Sequence, residues 1–161
     1  MNTAHAAHLV IIPCAAAKVD HTAPARDLYD SANFRNTLRS AEVTAADITA
    51  EFGVTTKVMI LSAEHGLLDL DTEVAPYDTK MGQRGSIDTM SLVDQLVALA
   101  PSAITSMLPG AYYQRVWEAV TFIREEGSDE DPWIDLMDTY EAAPGIGYQR
   151  GVAAALVRIA A

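Results

Sequence analysis

Three short stretches carry side chains suited to chemistry. In ILSAEHGLL, Ser62 ends an apolar run and Glu64 and His65 follow at once. A carboxylate beside an imidazole on a strand-end loop could be an acid–base pair. Neighbours in a strand point opposite ways, so only one of the two is expected to face a ligand. In APYDTKMG, Tyr77 precedes Asp78. That pairing suits a planar ring, with stacking from the aromatic and a hydrogen bond or base role from the carboxylate. In YEAAPGIGYQRG, Glu141 is followed by Gly145, Gly147, Gln149 and Arg150 at the mouth of an apolar helix. Glycines let backbone N–H groups approach an anion, a helix start favours negative charge, and Arg150 adds a bidentate fork. Each stretch also has a plainer reading: a turn with His65 as a structural hydrogen-bonder, a Pro-initiated turn, and a Schellman-like turn with a surface arginine.

Two further places qualify. Cys14 stands at a strand end, four residues before Lys18. A nearby lysine could lower a thiol pKa and make a nucleophile. The plainer reading is a small buried residue lining a turn, with Lys18 as a polar or phosphate contact. ARDLYDS offers Tyr29 and Ser31 just ahead of a helix, either to reach a ligand or simply to pack and to cap. His5, His8, His21 and His65 are scattered, with His5 and His8 expected on a frayed terminus, and one cysteine does not build a zinc cluster. We therefore assign no metal and no cofactor. Glu64 and Asp78 are the catalytic candidates. Cys14, Lys18, Tyr29, Ser62, His65, Tyr77, Glu141, Gly145, Gly147, Gln149 and Arg150 are the ligand-binding candidates.

These residues need a frame that gathers them. HLVIIPC predicts a buried strand over 8–12, KVMILSAEHG a second over 57–61, and AITSML a third. PWIDLMDTYEA is read as a fourth strand over 133–138, although its apolar residues could also line a helix. Between them lie three helices: one from Ser31 to Gly53, one starting near Asp88 and ending before Pro101, and one in GAYYQRVWEAVTFIREEG. A final helix is expected in GYQRGVAAALVRIAA. Strand–helix alternation favours an α/β fold, a three-layer sandwich with a four-stranded, mostly parallel sheet and helices on both faces. Ligands in such sheets bind beyond the carboxyl ends of the strands, where all the stretches above fall. The first two strand-end loops are long for α/β connections, as functional loops often are.

Composition narrows the function classes. The 161 residues suit one domain, 1–161, and half of them are apolar, enough for a core. The net charge of −11 argues against extended duplex nucleic-acid binding, which rests on many phosphate contacts. No apolar run approaches a membrane span and the start lacks a basic leader. With a single cysteine, this points to the cytoplasm.

As a set, IIPCAAAK, ARDLY, ILSAEHGLL, PYDTKMG and YEAAPGIGYQRG resemble an uncharacterised α/β domain family of bacteria and their phages, over nearly the whole chain. More distantly, the opening strand and loop look like the uracil-DNA glycosylase-like domains of archaeal tRNA-guanine transglycosylase relatives. That resemblance implies a three-layer sheet and the handling of a nucleobase or nucleotide. The sequence lacks the glycosylases' Gly-x-Asp-Pro-Tyr and His-Pro-Ser motifs, although Tyr77 and Asp78 follow Pro76. The expected function is an enzyme acting on an N-glycosidic bond of a nucleotide, nucleoside or modified base. Glu64 or Asp78 would handle water or sugar charge, Tyr29 or Tyr77 would stack the base, and Lys18, Gly145, Gly147 and Arg150 would hold phosphate. The alternative is a non-catalytic nucleotide-binding protein, sequestering or regulatory, in phage–host conflict. A third reading makes the acidic run 125–131 a protein-interaction surface.

Overall fold

The computed structural model describes residues 7–141. Along the chain run β1 (His8–Pro13), β2 (Ala23–Pro24), α1 (Ala25–Leu28), α2 (Ala32–Phe52), β3 (Thr56–Ser62), β4 (Gly66–Asp69), β5 (Glu73–Val74), α3 (Thr89–Leu99), β6 (Ala103–Ser106), α4 (Gly110–Glu126) and β7 (Asp135–Asp138). The helix expected over GYQRGVAAALVRIAA lies outside the described residues.

The main sheet has the order β4-β3-β1-β6-β7. β1 pairs in parallel with β3 and β6, and β7 pairs in parallel with β6. β1 reads as an unbroken apolar run because it is the central strand and its residues from His8 to Ile12 are buried. Its alternate residues serve two cores. Val10 and Ile12 join Val58, Ile60 and the α2 residues Phe34, Ala41 and Ala45. Leu9 and Ile11 join Met59, Leu61, the α3 residues Leu92, Val93 and Leu96, and the α4 residues Val116, Ala119, Val120 and Ile123. Neighbouring strand residues point to opposite faces, so each cluster draws on one set of alternating positions.

Local signals place the helix ends. Ser31 Oγ accepts a hydrogen bond from the Phe34 N–H at 3.0 Å, and Gly53, at φ +66°, closes α2 in the left-handed conformation. Asp88 caps α3 by accepting from the Ser91 N–H at 2.7 Å. At the other end of α3, Ala100 takes the left-handed role at φ +48° without being glycine.

The sheet has five strands rather than four. The extra one, β4, runs antiparallel to β3 and pairs Ser62 with Gly66 through Met59 with Asp69. It lies inside a stretch that looks like one long loop, because counting strands by the helices between them misses a hairpin return. Gly66, at φ +74°, makes the sharp reversal, and Leu67 and Leu68 bury behind it. A second departure concerns His8. It is not on a frayed end: it is in β1, 9% exposed, with Nε2 2.7 Å from Thr105 Oγ1. Burial lowers its pKa, so it acts as a neutral structural group.

Candidate functional site

The two long strand-end loops are stitched together rather than free. β2 and β5 form a small antiparallel ribbon, with Ala23 opposite Val74 and Pro24 opposite Glu73. The Ala25 and Arg26 N–H groups donate to Thr72 O and Leu70 O at 2.8 and 2.9 Å. The first loop also folds back on itself. Lys18 bridges Tyr29, with Val19 N–H donating to Leu28 O and Asp30 N–H to Ala17 O, both at 2.9 Å. These bonds deliver Lys18, Tyr29 and Tyr77 to the carboxyl end of β3, where Ser62 ends the strand.

There a chain of hydroxyls forms. The backbone N–H groups of Glu64 and His65 donate to Ser62 Oγ at 3.2 and 3.0 Å. Ser62 Oγ donates to Tyr77 Oη at 2.7 Å, and Tyr77 Oη is 2.6 Å from Tyr29 Oη. The Tyr77 ring is held on several sides. Lys18 Nζ lies 4.3 Å from its centroid, a cation–π distance, and the His65 ring meets it edge-on at 5.3 Å. Tyr29 packs on Phe34 with centroids 5.0 Å apart.

Across the end of β1, Cys14 Sγ is 3.2 Å from Tyr112 Oη in the first turn of α4. Burial raises the pKa of Tyr29 to about 12 and raises those of Tyr77 and Tyr112 further. The neighbouring Cys14 sulfur pushes all three the same way. All three therefore stay neutral phenols, able to donate, far above neutral pH. Such a cluster can hold oxygen atoms of a ligand.

The carboxylates border this cluster. Glu64, His65, Tyr77 and Asp78 line a surface depression of about 560 Å³, with Leu68 and Val74 in its floor. Glu64 Oε2 and His65 Nε2 are 3.6 Å apart. Both residues thus face the same depression, against the expectation that only one would. They stand in the turn between β3 and β4, where strand alternation does not apply. Asp78 is exposed and Glu64 is half-buried.

The candidates therefore divide. Cys14, Lys18, Tyr29, Ser62, His65 and Tyr77 come together, and Glu64 and Asp78 stand at the rim. Glu141 follows edge strand β7 at the same carboxyl edge, beside Tyr113, whose pKa is raised first by burial and then by the charges of Asp138 and Glu141. Gly145, Gly147, Gln149 and Arg150 lie outside the described residues. The expectation that Tyr29 stacks a base is corrected: it is 1% exposed, so no ring face is open. Tyr77 likewise carries Lys18 on its ring. Tyr112 is a residue that sequence reasoning passed over. Its signal was its place in the third strand-end loop, PGAYY, but nothing local announces that its hydroxyl turns toward β1.

The fold and this edge define an α/β protein with a polar cluster beyond the carboxyl ends of parallel strands. The chain belongs to a family of unknown function, DUF6884, whose model matches residues 9–121, more than half of the chain. No curated protein and no solved structure matches it. The matched stretch contains every member of the hydroxyl cluster and both rim carboxylates, and ends before Glu141 and the glycine-rich stretch.

Proposed function

We propose that this chain is an enzyme that recognises a nucleobase-containing ligand and acts on its N-glycosidic bond. The observation that carries the reading is the meeting, at one sheet edge, of neutral phenols and Lys18 with two rim carboxylates, Glu64 and Asp78. The cluster also spans the point where the connections diverge. β1 leads to α2 in one core cluster, and β6 leads to α4 in the other. Crevices of that kind are where open α/β sheets hold nucleotides. We read the two clusters as the two interfaces of a three-layer sandwich. A cytoplasmic setting fits the single, half-buried thiol.

In the proposed reaction the bond from the sugar carbon to the base nitrogen breaks, and its electron pair leaves with the base. Water supplies its oxygen to the sugar carbon and its proton to the departing base. Glu64 or Asp78 orients that water or faces the positive charge developing on the sugar. The phenols and Lys18 hold oxygens of the ligand.

One observation favours a second reading, a nucleotide-binding protein without chemistry: Asp78 is exposed to water. A solvated carboxylate stabilises a developing cation less than one in a dry site. The two readings separate when purified protein is incubated with nucleosides, nucleotides and base-modified DNA and the products are examined by mass spectrometry. Free base supports the enzyme. Tight binding with no free base from any member leaves the non-catalytic protein.

A further inference from the structure

The hydrogen atoms of the cluster can be counted. Ser62 Oγ accepts two backbone N–H groups, which occupies both of its lone pairs. Its own hydrogen must then go to Tyr77 Oη. The Tyr29–Tyr77 pair holds two phenolic hydrogens, and only one fits in the 2.6 Å bond between them. If Tyr77 donates, Tyr29 keeps a hydrogen; if Tyr29 donates, Tyr77 keeps one. Either way one phenolic O–H meets no acceptor among the described residues.

The Cys14–Tyr112 pair repeats the count. One S–H and one O–H share a single contact at 3.2 Å, which leaves one hydrogen over. Lys18 directs one N–H to Ala16 O at 3.2 Å and holds two more. The cluster is thus rich in donors and poor in acceptors. A buried donor left unmade is costly, whereas a hydroxyl oxygen that already accepts one bond is content. Cys14, Lys18, Tyr77 and Tyr112 each keep part of their surface open, so a ligand can reach the surplus hydrogens.

We propose that Cys14, Lys18, Tyr77 and Tyr112 form an oxyanion-binding hole, with Tyr29 buried behind Tyr77 and Ser62 as the positioning residue that donates to Tyr77 Oη and holds it in place. The group it takes has at least two acceptor oxygens, no donors and negative charge. A phosphoryl group fits that description, so the hole selects nucleotides over nucleosides. A carboxylate presents the same two-oxygen edge and is the other source of this chemistry. The inference rests on reading this edge as the ligand site, but it needs no bond to break.

Cys14 is the only cysteine of the chain and so reports on the hole directly. The test is the rate of its alkylation by uncharged iodoacetamide, followed by intact mass, with orthophosphate, acetate, uridine 5′-monophosphate or uridine present. Orthophosphate and the monophosphate should slow the reaction at least about 10-fold at saturation, and uridine should not. Protection by acetate alone would keep the hole and overturn the phosphoryl assignment. No protection by either anion would overturn the hole itself. In calorimetric titrations, Ser62→Ala should weaken monophosphate binding about 3- to 10-fold, the range of the neutral hydrogen bond to Tyr77 that it removes. Uridine binding should change less than about 2-fold, and Ser62→Thr, which keeps the hydroxyl, should restore the monophosphate. Unchanged monophosphate binding in Ser62→Ala would remove Ser62 from the proposal. Free base release together with no protection by either anion would leave the glycosidic reading standing without the hole. Anion protection with no base released would do the reverse.

Discussion

The Cys14 thiol and the Tyr112 hydroxyl, 98 positions apart, meet at 3.2 Å. Their contact joins the loop after β1 to the first turn of α4. Tyr112 is partly buried against the core cluster of α3 and α4, and Cys14 against that of α2. The pair therefore links residues packed on the two core clusters through one polar contact. Tyr112→Phe keeps the ring and removes the hydroxyl. It should lower stability by about 0.5–1.5 kcal/mol, the net worth of a typical hydrogen bond. Urea unfolding measures this, and a midpoint equal to that of the parent would show that the contact contributes nothing.

Tyr77→Phe should cost more. It removes the acceptor of the fully buried Ser62 hydroxyl and the partner of Tyr29 together. A buried polar group stripped of its partner costs about 1–3 kcal/mol. The double variant Ser62→Ala with Tyr77→Phe should lose less than the sum of the single losses, because each single change already breaks the shared bond. Strict additivity in denaturant unfolding would show that the two hydroxyls do not interact.

The tyrosines predict a pH dependence. Burial raises Tyr29 from its ordinary value of 10.0 to about 12. Below pH 10 the phenol is protonated in both folded and unfolded chains, so its contribution to stability is complete. Between pH 10 and 12 the unfolded chain releases the proton while the folded one holds it, so stability falls as pH rises. A two-unit shift corresponds to about 2–3 kcal/mol from Tyr29. Tyr77, Tyr112, Tyr113 and Tyr140 are raised as well, so they act in the same direction. Ultraviolet titration of the folded protein at pH 10.5 should show fewer than half of the six tyrosines as phenolate. Full ionisation of folded protein at that pH would contradict the buried cluster.

Gly66 and Gln95 support the turn that carries Glu64 and His65. Gln95 accepts from the Leu67 N–H at 2.8 Å and donates to His65 O at 3.0 Å. A Cβ on Gly66 would lie 2.4 Å from Gln95 Oε1, and the backbone there is at φ +74°. Gly66→Ala should thus destabilise by about 1–3 kcal/mol, from strain at a left-handed position and from the displaced amide. Thermal unfolding reads the loss. A variant as stable as the parent would mean that the amide side chain relocates freely.

If the chain breaks N-glycosidic bonds, its rim carboxylates are exposed to a direct trial. Glu64→Gln or Asp78→Asn should cut turnover about 10²-fold or more, within the range of acid–base residues. Folding should be almost unchanged, since among the described residues Asp78 makes no side-chain hydrogen bond and Glu64 only the loose His65 contact. Full turnover in both variants would take the two carboxylates out of the mechanism.

Much of the frame is legible in the residues themselves. HLVIIP announces a buried strand because apolar, β-branched residues without alternation suit a strand covered on both faces. Ser31, Gly53 and Asp88 mark helix ends because capping is a local affair of one side chain and a few backbone groups. Strand ends then show which loops share an edge, which is why Cys14, Lys18, Tyr29, Ser62 and Tyr77 can be singled out together. Tertiary structure alone decided the rest. β4 depends on pairing with β3, and a four-residue strand has too little pattern of its own to be told from a loop. The Lys18 cation on the Tyr77 ring, the meeting of Tyr29 with Tyr77 and the turn of Tyr112 toward Cys14 are set by contacts between segments 48 to 98 positions apart. The order of side chains along a strand specifies which face each one takes. Which hydroxyl meets which, and so where the surplus hydrogens point, follows only when distant loops are held together by the β2–β5 ribbon and by the packing of helices that the local sequence cannot place.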